Sequence, residues 1–66
     1  MMNAPRLLRI REVTARTGRT RSRIYEDVAS GKFPRPVKIG GQAIAFVETE
    51  IDAWIASKIA ARDRAQ

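Results

Sequence analysis

The residues best suited to chemistry are Thr20-Arg21-Ser22-Arg23, at the predicted start of a helix. The free N–H groups of a helix start favour a phosphate, Ser22 adds a hydroxyl, and two guanidinium groups can reach the edges of bases. Thr20 supplies the capping hydroxyl. Which arginine reads a base stays open at this level. Arg23→Ala is expected to relax specificity at one or two base positions. Tyr25, one turn further on, invites a second idea, attack of its hydroxyl on a phosphate. Such a nucleophile needs a preorganised cluster of acid, base and phosphate-clamping groups. A chain of 66 residues without His has no room for one. Tyr25 is better placed as an edge residue, its ring packed and its hydroxyl on a phosphate or water.

Composition narrows the choice further. Cys and His are both absent, which removes disulfides, zinc sites built on thiolate or imidazole, and every Ser-His or Cys-His arrangement. No enzyme and no cofactor is expected. Thirteen Lys and Arg stand against seven Asp and Glu, for a net charge of +6. The excess is local: residues 1–38 hold ten basic and three acidic side chains, residues 39–66 three and four. Eight of those ten are Arg, whose planar fork suits phosphate and guanine. A polyanion partner follows, nucleic acid first and an anionic membrane surface second. RNA recognition usually wants exposed aromatics for stacking, and the chain has four aromatics in all. A membrane partner would want an apolar insertion face beside the charge, and none is seen. Met1-Met2-Asn3-Ala4-Pro5-Arg6 lacks the apolar stretch of a secretory signal. A soluble intracellular protein is the default expectation.

These side chains need elements to position them. Residues 11–17 suit a short helix stopped by Gly18, and residues 21–30 a second helix stopped by Gly31. Ile24 and Val28 stand four apart and turn toward the core. Pro34-Arg35-Pro36 could be mistaken for a polyproline ligand but reads better as a rigid extended link. Val37-Lys38-Ile39 and Ala43-Ile44-Ala45-Phe46 alternate with period two around Gly40-Gly41-Gln42, a β-hairpin. Thr49 and Asp52 resemble a capping box before a last helix with the stripe Ile51, Trp54, Ile55, Ile59. Trp54 is therefore core, and Glu48, Glu50 and Asp52 serve the helix start rather than a metal. Leu7-Leu8-Arg9-Ile10 is a strand-like lead-in. The expected fold is mainly α with a small β-hairpin, a winged helix-turn-helix over residues 7–60. A flexible arm (1–6) precedes it and a fraying end (61–66) follows.

Residues 7–13, Thr17-Gly18, Arg21-Ser22-Arg23-Ile24-Tyr25, the Gly31-Lys32-Phe33-Pro34-Arg35-Pro36-Val37-Lys38-Ile39-Gly40-Gly41 segment and Glu48-Thr49-Glu50-Ile51-Asp52-Ala53-Trp54-Ile55 closely resemble the AlpA family. Its members are small phage-type DNA-binding regulators with a MerR-like winged helix, a fold shared with many excisionases (recombination directionality factors). The resemblance implies a transcriptional regulator of a prophage or integrative mobile element. The alternative is an excisionase that binds repeated sites near an attachment site, bends DNA and directs an integrase toward excision. An RNA-binding or antitoxin-type module is more distant. Self-association on DNA, head-to-tail or as a dimer, would supply specificity that one small reader lacks. The implied DNA-binding residues are Arg19, Thr20, Arg21, Ser22, Arg23, Tyr25 and Glu26 on the second helix and its approach. Arg35 on the link joins them, with Lys38, Gly40, Gly41 and Gln42 on the wing.

Three departures stand out. Family members usually carry apolar residues where this chain has Arg16 and Arg19, so helix one has a thin apolar face, mainly Val13 with Leu8 and Ile10. These arginines then either weaken the core or snorkel outward to phosphates. Gln42 stands where the wing usually has Arg, which weakens the case for minor-groove insertion. Glu26 replaces a residue often basic; it would accept from cytosine N4 or pair with a neighbouring arginine.

Overall fold

A computed structural model describes residues 5–65. Most of the arm expected over residues 1–6, and Gln66, lie outside them. The elements run β1 (Leu7–Leu8), α1 (Ile10–Thr17), α2 (Arg21–Ala29), β2 (Val37–Gly40), β3 (Ala43–Val47) and α3 (Glu48–Arg64). Three helices thus accompany a small antiparallel sheet of order β1-β3-β2. The hairpin was expected alone. The lead-in converts it into a three-stranded sheet by pairing Leu7 with Val47 and Leu8 with Phe46.

Local chemistry explains the helix limits. The Arg9 backbone is extended, and its N–H donates to Glu12 Oε1 at 3.0 Å, so α1 begins at Ile10, one residue earlier than expected. Gly18 ends it with φ 74°, a left-handed conformation costly for a residue with a Cβ, and donates to the Thr14 carbonyl at 2.9 Å. Thr20 Oγ1 then accepts the Arg23 N–H at 3.2 Å and opens α2. Three residues, Gly18 to Thr20, therefore separate the two helices.

The start of α3 departs from expectation. Thr49 is already inside the helix, which begins at Glu48 with no side-chain cap. The Glu48 N–H instead donates to the Arg6 carbonyl at 2.8 Å. The chain passes directly from β3 into α3, and the segment before β1 satisfies a donor that a capping hydroxyl would otherwise take.

The core has one residue from almost every element: Leu8 (β1), Val13 (α1), Ile24 (α2), Phe33 (the link), Phe46 (β3) and Ile51 (α3). Phe33 meets Phe46 and Trp54 edge-on, with ring centroids 5.9 Å and 4.9 Å apart. Ile10, Val28, Trp54 and Ile55 pack around this cluster. Ala45 is buried beside Phe46, because β3 is the middle strand with neighbours on both edges. The apolar stripe of α3 stops at Ile55. Ile59 is exposed, since a helix of 17 residues, about 25 Å long, outruns so small a core. Strand β2 has no buried residue at all. It is one of the two edge strands of the sheet.

Candidate nucleic-acid interface

Helix α2 turns Ile24, Asp27 and Val28 toward the body. By helical spacing, Ser22 and Glu26 then centre its outer face, flanked by Arg23 and Tyr25. Thr20, Arg21, Ser22, Arg23, Tyr25 and Glu26 are all exposed. The Thr20 cap fixes where this row begins. Thr20→Ala is expected to cost about 1 kcal/mol of stability, read by urea unfolding, by freeing the Arg23 N–H. A loss below about 0.3 kcal/mol would mean water replaces the cap.

The hairpin forms a second cluster. Lys38 lies on β2 opposite Ile44, and Gly41-Gln42 make the turn between Gly40 and Ala43. Gly41 has φ 50°, and the register slips between Lys38 and Gly40, so the tip is an irregular exposed loop. Arg35 lies between the clusters. It lines a groove with Val28 of α2, Val37 of β2 and Trp54 of α3. The rigid link thus carries an exposed cation across the gap between helix and hairpin.

Ion pairing decides which charges remain available. Arg16 is engaged by acids of α3: it donates to Glu48 Oε2 at 2.7 Å and Asp52 Oδ1 at 3.3 Å, tying α1 to α3. Arg19 is also drawn inward. Its Nη1 donates to Asp27 Oδ2, and its guanidinium lies 5.2 Å from the centre of the Trp54 ring. Trp54 Nε1–H in turn donates to the Lys32 carbonyl at 3.0 Å. Arg19 was grouped with the contact residues, but its charge is engaged with the protein. Glu12 is taken by Arg6, and Asp63 by Arg62. Among the described residues only Glu26 and Glu50 have no basic partner within 4.0 Å. Glu26 therefore does not pair with a neighbouring arginine.

Arg9, Arg11, Arg21, Lys32, Arg35 and Lys38 have no carboxylate within 4.0 Å among the described residues. The basic excess of the first half of the chain is thus largely unneutralised, while five of the seven acids are paired with arginines, Glu48 and Asp52 linking α3 to α1 and Asp27 linking α2 to the turn before it. Arg11 is a gain over the sequence. It lines one groove with Ile10, Thr14, Thr20 and Arg21, beside the start of α2. Its signal was no more than membership of the basic cluster, because its placement depends on how α1 packs on α2.

A family model described as Prophage CP4-57 regulatory protein (AlpA) matches residues 6–59. The chain is 44% identical over 59 residues to a protein of Enterobacteria phage P4 named Uncharacterized protein ORF88, covering 89% of this chain and 67% of that one. No solved structure matches it.

Proposed function

The chain belongs to the AlpA family of prophage regulatory proteins, and from that premise we propose that it is a sequence-specific, non-enzymatic double-stranded-DNA-binding transcriptional regulator of a prophage or mobile element. Its architecture is taken as a winged helix-turn-helix: α1 and α2 with their three-residue turn, and the β2–β3 hairpin as wing. Helix α2 enters a major groove and the hairpin follows an adjacent strand. The observation that supports this most is the exposed set Arg21, Ser22, Arg23, Tyr25 and Glu26 on one capped helix, with Arg11 and Arg35 lining grooves beside it and no carboxylate within 4.0 Å of either among the described residues. Arg11, Arg21, Arg35 and Lys38 lie on phosphates, Arg23 meets a base, and Glu26 accepts from cytosine N4. The absence of His and Cys from the sequence leaves Tyr25 without the partners a nucleophile needs.

No helix among the described residues is long and apolar enough to cross a membrane. Action on the nucleoid in a bacterial cytoplasm completes the proposal. One small helix reads few bases, so two or more copies share an operator.

Footprinting across the promoters and attachment site of the encoding element tests it. One protected operator at a promoter is expected. Protection of several tandem repeats beside the attachment site would instead identify an excisionase working with an integrase. Uniform weak protection would mean that charge alone binds DNA. Four phosphate contacts predict a slope of log affinity against log salt of about −3.6. Arg11→Ala and Arg21→Ala should each reduce its magnitude by about 1, on operator and random duplex alike. An unchanged slope would take that arginine off the backbone.

A further inference from the structure

Asp27 is the one buried charged side chain among the described residues, 6% exposed, on the helix proposed to read DNA. A carboxylate so placed is costly unless paired, and a neutral side chain would pack there without that cost. Two arginines pair with it, one through each oxygen. Arg19 takes Oδ2, and Arg23 Nε lies 3.4 Å from Oδ1, one helical turn back. The Arg19 contact is the hydrogen-bonded one and meets much of the need for burial. Arg23 gains something different. Its side chain stays 60% exposed while its Nε lies within ion-pair distance of the acid. That leaves the two terminal Nη groups for a pair of acceptors, the arrangement a guanine offers through O6 and N7.

The acid itself is held firmly. Its backbone carbonyl accepts from the Lys32 N–H at 2.8 Å, and Arg19 ties its carboxylate to Trp54 on α3. We propose that Asp27 is a positioning residue that orients the Arg23 guanidinium for a bidentate contact with one guanine, so that part of the base preference of α2 depends on an acid that does not meet DNA. This rests on the proposed DNA-reading role of α2. If Asp27 only clamped the turn between α1 and α2, Arg19 would suffice and base preference would not depend on the acid.

The test starts with a duplex selected by the wild-type protein from a randomised library. Every base pair is then substituted in turn, and affinity is measured for wild type, Arg23→Ala, Arg23→Lys, Asp27→Asn and the Arg23→Ala/Asp27→Asn double variant. Wild type should prefer guanine at one position by about 5- to 150-fold. Arg23→Ala should abolish that preference. Asp27→Asn should remove most of it at the same position while affinity for random duplex is equal or higher, since a negative charge is lost. The double variant should discriminate no worse than Arg23→Ala alone. Arg23→Lys, an exposed change that keeps the charge, should lose the preference with the salt slope intact, and it carries the test should Asp27→Asn not fold.

Retention of the preference in either Asp27→Asn or Arg23→Lys would overturn the proposal. So would losses in Asp27→Asn that are equal on selected and random duplexes, or a preferred site with no position answering to Arg23. In each of those cases the DNA-reading role of α2 would survive. A wild-type protein with no selected site would overturn both.

Discussion

Phe46→Ala is expected to leave the chain largely unfolded at 25 °C. Phe46 is fully buried on the middle strand, where it pairs in register with Leu8 and meets the edge of Phe33. The buried cluster around the ring holds only six side chains, and the residues packed against it are themselves partly exposed, so little is available to fill the space the ring leaves. Removing a buried Phe costs about 3–5 kcal/mol. A chain of this length has a total stability of about 3–10 kcal/mol. The loss therefore takes from about a third to all of what is available. Urea unfolding followed by Trp54 fluorescence and circular dichroism would show a midpoint near zero denaturant or no folded baseline. A loss below about 1 kcal/mol would mean that the sheet and helices do not depend on this contact.

Arg19→Ala is expected to cost about 2–3 kcal/mol, an unusually large effect for an arginine. Breaking a buried pair by removing one partner typically costs about 3–5 kcal/mol, because the remaining charge is stranded. Two features reduce that here: the Arg19 side chain is 29% exposed, and Arg23 stays within 3.4 Å of the acid. The change also removes the cation from the Trp54 ring, loosening α3 from the turn before α2. Asp27→Asn added to Arg19→Ala should recover part of the loss, since no charge is then left buried without its partner. The same unfolding measurement on both variants decides the matter. An Arg19→Ala protein as stable as wild type would make the Asp27 contact incidental, and its salt slope would then show whether Arg19 meets phosphate instead.

The two predictions differ in how visible their residues were beforehand. Phe46 belongs to a period-two run beside a Gly-containing turn, and such a run announces a strand with one face inward. Arg19 is a charged residue between two helices of a basic chain, and nothing beside it says that it turns inward. The acid it meets is eight residues on, within an apparently solvated Glu26-Asp27 pair. The third strand was hidden for a related reason. Leu7-Leu8 is too short to declare itself, and it becomes a strand only because β3 presents an open edge to it.

The sequence by itself determined what depends on near neighbours and on totals. Gly18 stops α1, Thr20 opens α2, a Gly-rich turn folds the hairpin back, and the basic excess falls in the first half of the chain. Each of these follows from backbone preference, from hydrogen bonds spanning three or four residues, or from counting charges. Tertiary structure alone decided which of those charges are free. Arg16 finds acids 32 and 36 residues away, so its partners exist only once α1 lies against α3. Asp27 gains its partner only when the turn before α2 brings Arg19 onto it, with the Arg19 guanidinium against Trp54 of α3. An ion pair acts over a few ångströms of space and is indifferent to distance along the chain, so the folded packing selects which arginines stay available to meet DNA.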